Sequence, residues 1–382
     1  MNKSGEISGT HFMLGNHAIV EGAIAAGCRY FAGYPITPAS EIVERMSRRM
    51  PEVGGRFIQM EDEMGAIFSV IGASLAGAKA MTATASAGFN YMQEGIGLAA
   101  TIEVPCVIVD VPRTRQDIQP TESDIMQVKW GASGDYETIC LVASSIQEAF
   151  DLTVEAFNFA EKYRNPVVLI SEANISHMRG RLEIPERNRI KVVNRKPATG
   201  PPEDYLPFRA GENGVPAMSS FGEGYRVLYT HNPHDERGRI LNVEADPDGY
   251  EKLYDKICGK ITRDTDEIAR FETRFLDDAD LAVVSYGTES SSALEAVIRA
   301  RSESIKAGYV KLTTVWPVPE RLLRDVAEKV EKIIVPEMNM GKYVNEVKRV
   351  SCGEADVIPL SKNNGEIHSP EEILKRMRGE SG

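Results

Sequence analysis

Six short apolar runs constrain this chain more than anything else in it: "CRYFAGYP", "GRFIQM", "KAMTATA", "PCVIVDV", "ETICLVA" and "NPVVLISE". Between them lie "ASEIVERM", "EMGAIFSVIGASLAGA", "FNYMQEGIGLAATIEV" and "SIQEAFDLTVEAFNFAEKYR", whose apolar residues recur at helical spacing. "HAIVEGAIAAG" leads in as a further helix, ending at Gly27. A strand that is apolar on both faces needs cover on both. Strand alternating with helix supplies it, which predicts an α/β fold with a parallel sheet covered on either side.

The alternation stops at "NRKPATGPPEDYLPFRAGENGVPAMSSFGEG", rich in Pro and Gly and without period. After it, "YRVLYTHNPHDERGRILNV" reads as a small hairpin about Asn232 to Gly238, and "DGYEKLYDKICGKITRDTDEIARFETRF" as helix. From Ala279 the pattern resumes, with strands "DLAVVSYG", "GYVKLTTVWP", "KIIVPEM" and "ADVIPLS". A chain of 382 residues exceeds what one hydrophobic core usually serves. The expected organisation is a first α/β domain over 1–185, an irregular linker with hairpin and helix over 186–270, and a smaller α/β domain over 271–382.

A net charge of −12 argues against a nucleic-acid surface. No apolar run approaches the roughly 18 residues of a membrane span. The start, "MNKSGEISGT", lacks the apolar core of a signal peptide, so the cytoplasm is the expected location. Cys28, Cys106, Cys140, Cys258 and Cys352 form no C-x-x-C pair and read as buried thiols rather than zinc or cluster ligands. There is no P-loop, no G-x-G-x-x-G after the first strand and no G-x-S-x-G elbow. His231 and His234 read as a solvated turn, and no metal site is expected.

Ligands of an open parallel sheet collect at the carboxyl ends of its strands. Four loops there carry polar residues: Tyr34-Pro35-Ile36-Thr37-Pro38; Glu61-Asp62-Glu63; "TASAGFN" with Ser86 and Gly88; and "VPRTRQDIQPTESD" with Arg113 and Arg115. Each has a plain reading. Thr37 suits a helix N-cap, the acidic run suits a helix dipole, the glycine suits a tight turn, and the arginines suit solvent. Their convergence on one sheet edge favours a site.

With "YPITP" at Tyr34 to Pro38 and "EDEMGAIFSVIGASLAGAKAMTATASAGFNYMQEGIG", then "VSYGTESSSALEAV" and "VPEMNMGKYVNEV", the chain resembles the α subunit of the 2-oxoacid:ferredoxin oxidoreductases, most of all the 2-oxoglutarate enzymes. The resemblance covers most of the chain and is weakest from about 185 to 270. It implies a doubly wound, pyrimidine-type thiamine diphosphate-binding domain and a smaller transketolase C-terminal-like domain. It implies a cofactor shared with a β subunit that carries the diphosphate and Mg²⁺ site and a [4Fe–4S] cluster. Ferredoxin would take the electrons, coenzyme A the acyl group, and the substrate would be a 2-oxoacid. The chain agrees in carrying no G-D-G with a downstream Asn, since "GDY" at Gly134 is not that motif.

By the same resemblance Glu63 is the carboxyl that hydrogen-bonds N1′ of the aminopyrimidine, with Glu61 the next candidate. Tyr34, Pro35, Ile36, Ser86 and Gly88 line the cofactor. Thr37 binds the substrate's carboxylate or keto oxygen, held by flanking prolines that restrict φ. Arg113, with Arg115 second, pairs with the substrate carboxylate through a two-point guanidinium contact. One departure stands out: 2-oxoglutarate members typically carry an Arg-Gly-Gly-Pro-Ser-Thr-Gly-like loop, whereas "RTRQDIQPTESD" has no glycine. Pyruvate, branched-chain and aryl 2-oxoacids therefore stay open beside 2-oxoglutarate. So do two other readings, a transketolase- or decarboxylase-like relative and a non-catalytic subunit.

Overall fold

A computed structural model describes residues 5–115, 117–211 and 213–380. The first half contains strands β1 (Gly9–Leu14), β2 (Tyr30–Gly33), β3 (Arg56–Gln59), β4 (Ala80–Thr84), β5 (Cys106–Asp110), β6 (Ile139–Val142), β7 (Pro166–Ile170) and β8 (Arg179–Ile184). The second half contains β9 (Phe271–Arg274), β10 (Leu281–Tyr286), β11 (Ala307–Leu312), β12 (Thr314–Trp316), β13 (Lys332–Glu337) and β14 (Asp356–Ser361).

The main sheet runs β12-β6-β7-β5-β4-β2-β3, parallel from β6 to β3. Its inner strands bury both faces, as their composition demands, while the edge strand β3 is largely exposed. Phe31, Met81, Val107, Val109, Leu141 and Leu169 point into one core with the helices Gly15–Ala25, Ser40–Glu52 and Ile146–Tyr163. Ala32, Ala80, Ile108, Cys140, Val168 and Ile170 point into the other, with the helices Glu63–Leu75 and Ser86–Thr101 and with Val315, Trp316 and Tyr343 from the second half. A second sheet, β14-β13-β10-β11-β9, is parallel except for β9. The chain leaves β2 for β3 on one side and returns to β4 on the other. The main sheet thus has a switch point at β2.

Four elements depart from the sequence reading. "YRVLYTHNPHDERGRILNV" forms no hairpin; a single bridge joins His234 to Ile240. "FETRF" is not helix, because the helix Pro247–Thr262 ends earlier and Phe271–Arg274 pairs with β11. "GYVKLTTVWP" is two strands, the second crossing to lie antiparallel on β6. β1 and β8, which carry no clear strand signal, pair over six residues as a separate ribbon. Cys352 is exposed and Cys258 half-buried, while the other three thiols are buried as expected.

The segment after β8 is fastened beneath the main sheet. Arg164, fully buried, donates to the carbonyls of Glu103, Pro207 and Ala217 at 3.0 Å each. The Glu103 carboxylate accepts from Lys256 at 2.6 Å and Lys260 at 3.0 Å. Burial opposes the Glu103 charge, but Lys260 and Lys256 outweigh it and hold the carboxyl at about 2. A folded value below the ordinary 4.5 means stability that is present above that pH and lost as pH falls toward 2. Denaturant unfolding should show wild type losing about 3 kcal/mol over that interval that Glu103→Gln does not lose.

Candidate active site

The ends of the central strands lie level. Met60 N–H donates to Gly33 O at 3.0 Å, Val111 N–H to Thr84 O at 3.0 Å, and Ser171 N–H to Asp110 O at 3.1 Å. The loops after β2, β3, β4, β5 and β7 therefore open onto one edge, and the four polar loops share it.

Glu63 is the first residue of its helix, and Asp62 is the N-cap, its carboxylate accepting from Gly65 N–H at 2.6 Å. The middle acid of the run thus serves the helix, which frees Glu63. Its side chain is 6% exposed, and no described residue hydrogen-bonds its carboxylate. With no bond to the fold, that carboxylate is free to meet a ligand at this edge. The side chain lies across the first turn of the next helix. A Cβ on Gly88 would stand 2.4 Å from Glu63 Oε1 and 2.1 Å from Thr84 Oγ1, so only glycine leaves the acid this room. Gly88 is the third residue of the helix Ser86–Thr101, not part of a tight turn. Glu61 is exposed.

Thr37 is exposed, and the N-cap of the following helix is Ala39, without side-chain help. Capping therefore does not occupy Thr37. The loop is instead held by Asn16, fully buried, whose Nδ2 donates to Pro38 O at 2.8 Å and to Glu41 Oε2 at 3.0 Å. Tyr34 and Pro35 are exposed and Ile36 is half-buried.

Arg113 is half-buried, and its guanidinium has no hydrogen bond or ion pair among the described residues; Arg115 is exposed. The Arg113 backbone is bound to Ser86, whose Oγ accepts the Arg113 N–H at 2.9 Å and lies 2.8 Å from Arg113 O. The same hydroxyl contacts the Asp124 carboxyl. One helical turn thus touches both outer parts of the site, Glu63 through Gly88 and Arg113 through Ser86. Behind it lies Asp110, fully buried, whose carboxyl meets that of Asp124, so the pair bonds through a proton held on Asp110. Burial, and then the charge of Asp124, hold Asp110 well above the usual carboxyl range.

The far end of this loop is fastened to the second half of the chain. Thr121 Oγ1 donates to Met338 O at 2.9 Å, Met338 N–H to Glu122 at 3.1 Å, and Lys342 Nζ to Ser123 O at 2.7 Å. Burial, and then the neighbouring Glu289, raise Glu122 well above the ordinary range.

Sequence reasoning passed over Asn16, Asp110 and Asp124. Asp110 carried a signal, a lone polar residue in the apolar run "PCVIVDV". His234 is buried against Phe208, ring centroids 4.0 Å apart, not solvated, and no metal-ligating cluster occurs among the described residues. No described helix is long and apolar enough to cross a membrane.

Comparison with known proteins bears on this edge. Residues 21–249 match the family described as pyruvate flavodoxin/ferredoxin oxidoreductase, thiamine diphosphate-binding, and residues 279–373 match pyruvate:ferredoxin oxidoreductase core domain II. The chain is 49% identical over 373 residues to the 2-oxoglutarate synthase subunit KorA of Methanothermobacter marburgensis, covering 97% of this chain and 98% of that one. It is 34% identical over 377 residues to the ketoisovalerate oxidoreductase subunit VorB of Methanothermobacter thermautotrophicus, covering 98% of each. Among solved structures, the 2-oxoglutarate:ferredoxin oxidoreductase of Magnetococcus marinus, with 2-oxoglutarate, coenzyme A and succinyl-CoA bound, aligns with a TM-score of 0.90 at 28% identity. That alignment covers 97% of this chain and 65% of the other.

Proposed function

The chain belongs to the pyruvate flavodoxin/ferredoxin oxidoreductase family, and on that premise we propose that it is the α subunit of a 2-oxoglutarate:ferredoxin oxidoreductase. The reaction is oxidative decarboxylation of 2-oxoglutarate to succinyl-CoA and CO₂, with electrons passed to ferredoxin. The observation that carries the reading is Glu63, a side chain 6% exposed, with no donor among the described residues, at the switch edge of a parallel sheet.

Thiamine diphosphate, when bound, supplies the electron sink that lets a 2-oxoacid lose CO₂. The residues present fit it: Glu63 has a carboxylate that bonds no described residue, and the missing Cβ at Gly88 is what lets that acid lie across the helix start at the sheet edge. Glu63 would hold a proton at N1′ of the aminopyrimidine. Gly88, Tyr34, Pro35 and Ile36 would bound the ring. Thr37 would orient the carboxylate or keto oxygen of the substrate, and Arg113 would pair with a carboxylate, with Arg115 nearby for a second. Two cations suit a dicarboxylate better than pyruvate or a branched-chain acid. A preset hydroxyl and guanidinium lower the barrier by positioning.

The rest of the site is assigned to a β subunit that binds the diphosphate and Mg²⁺ and carries the iron–sulfur cluster. Supporting this, large apolar side chains are exposed on the elements that meet at this edge: Met64 is 46% and Tyr91 63% exposed, with Phe68, Tyr34 and Ile58 also exposed. Exposed apolar residues of this size suit a protein interface. The test is to co-purify the partners and assay coenzyme A-dependent viologen reduction with a panel of 2-oxoacids. 2-Oxoglutarate should give the highest kcat/KM, and the isolated chain none. A preference for 2-ketoisovalerate or pyruvate would overturn the substrate assignment.

A further inference from the structure

The loop after β5 raises a question that the assignment of Arg113 does not answer. A guanidinium can select a carboxylate only if its backbone is fixed. Yet this loop has no glycine and crosses an exposed turn. Arg113 opposes Pro120 in an isolated bridge, and Thr114 N–H donates to Gln119 O at 2.9 Å. Arg113 therefore sits at the base of a short two-stranded turn, with Asp117, Ile118 and Gln119 exposed at its tip. The Arg113 backbone at the base is held by a side chain from another element. Ser86 Oγ meets both backbone polar groups of Arg113, the N–H at 2.9 Å and the carbonyl at 2.8 Å. Asp124, 8% exposed, contacts the same hydroxyl and accepts from Ser123 Oγ at 3.2 Å. Asp124 lies beyond the turn, next to the segment fastened by Met338 and Lys342. The hydroxyl thus joins the two ends of the loop to the turn of helix that also borders Glu63.

We propose that Ser86 and Asp124 are positioning residues for substrate recognition: together they clasp the base of the loop after β5 and aim Arg113 at the carboxylate of a 2-oxoacid. This rests on Arg113 being the carboxylate-binding residue. Neither residue touches the reacting atoms, so loss of the clasp spreads the guanidinium over several positions and weakens binding without altering the chemical step. Ser86 is accordingly spent on the substrate loop and does not bind the cofactor through its hydroxyl.

The experiment uses the assembled complex with its partner subunit. KM and kcat for 2-oxoglutarate are measured for Ser86→Ala, Ser86→Thr, Asp124→Ala, Asp124→Asn, Arg113→Met and the double variant Ser86→Ala/Arg113→Met. Binding of glutarate, a dicarboxylate that cannot be decarboxylated, is measured in parallel by calorimetry. Ser86→Ala and Asp124→Ala should each raise KM and weaken glutarate about tenfold, with kcat within about twofold. Ser86→Thr and Asp124→Asn keep the hydroxyl and the acceptor and should restore most of the loss. Ser86→Ala should add nothing on top of Arg113→Met, because the clasp acts through that arginine. If Arg113→Met raises KM but Ser86→Ala does not, the clasp is overturned and the role of Arg113 stands. A full additional effect of Ser86→Ala in the double variant also overturns it. If Arg113→Met leaves KM unchanged, the carboxylate assignment fails and the clasp falls with it. Should Ser86→Ala not assemble, the contrast between Asp124→Ala and Asp124→Asn decides.

Discussion

Replacing Glu63 by glutamine in the assembled enzyme should lower kcat by about 10²–10⁴, the range in which one positioned acid–base group contributes. Glutamine matches the size of the glutamate. The contact with Gly88 and the packing of the two helices should therefore survive, and thermal unfolding should match wild type. What is lost is an ionisable group able to hold and return a proton at N1′. Two measurements accompany the rate, the melting temperature and the affinity for thiamine diphosphate. A fall in kcat with both near wild type supports the assignment. Near-normal turnover would remove Glu63 from the chemistry, and Glu61, exposed and one residue before the N-cap, would be the next residue to replace. Gly88→Ala approaches the same carboxylate from the other side. Its methyl carbon would stand 2.4 Å from Oε1, so the acid would have to move, and the rate should fall although no ionisable group is removed.

Arg113→Met should reduce kcat/KM for 2-oxoglutarate about 100-fold, mostly through KM, as expected for losing a two-point, charge-assisted contact of about 2–3 kcal/mol. Methionine keeps much of the apolar stem, which limits packing loss. Arg113→Lys should recover only part, because an ammonium cannot present two parallel donors. Arg115→Met should cost less than Arg113→Met, since Arg115 is exposed and Arg113 half-buried. If the two variants lose equally, the arginines share the dicarboxylate. If Arg115→Met loses more, their order is reversed. A loss in kcat alone, with KM unchanged, would contradict carboxylate binding by either.

The folding pattern of the main sheet was legible because each strand had to be apolar on both faces and each helix on one, and those two periods are written locally. The carboxyl edge followed from the strand–helix alternation, and with it the loops that carry Thr37, Glu63, Ser86 and Arg113; the switch point at β2 came only with the strand order. Less legible was what each polar side chain does there. Asp62 and Glu63 are adjacent acids, alike in composition, yet one caps the helix and the other is buried at its first residue, decided by the residue at which the helix starts. Ser86, expected to line the cofactor, also has its hydroxyl on the Arg113 backbone, a contact no local pattern announces. Gly88, whose plain reading was a tight turn, lies inside a helix where a Cβ would stand against the Glu63 carboxylate.

The second half shows the same division. "GYVKLTTVWP" is apolar enough for one strand, but Thr314–Trp316 leaves its own sheet to complete the edge of the first. "FETRF" has helical neighbours and becomes a strand because β11 offers an open edge. His234 sits among turn residues and is nevertheless buried, because the segment folds back over Phe208.

What the sequence determined by itself was periodic: alternating strands and helices, the sheet they build, and the edge on which its polar loops must meet. The tertiary structure alone decided pairings between residues far apart in the chain: Ser86 with Arg113 and Asp124, Gly88 with Glu63, and the loop after β5 with Met338. The reason is physical. Burial periodicity is a property of neighbours along the chain, whereas a hydrogen-bond partner is set by which surfaces the packing brings within about 3 Å.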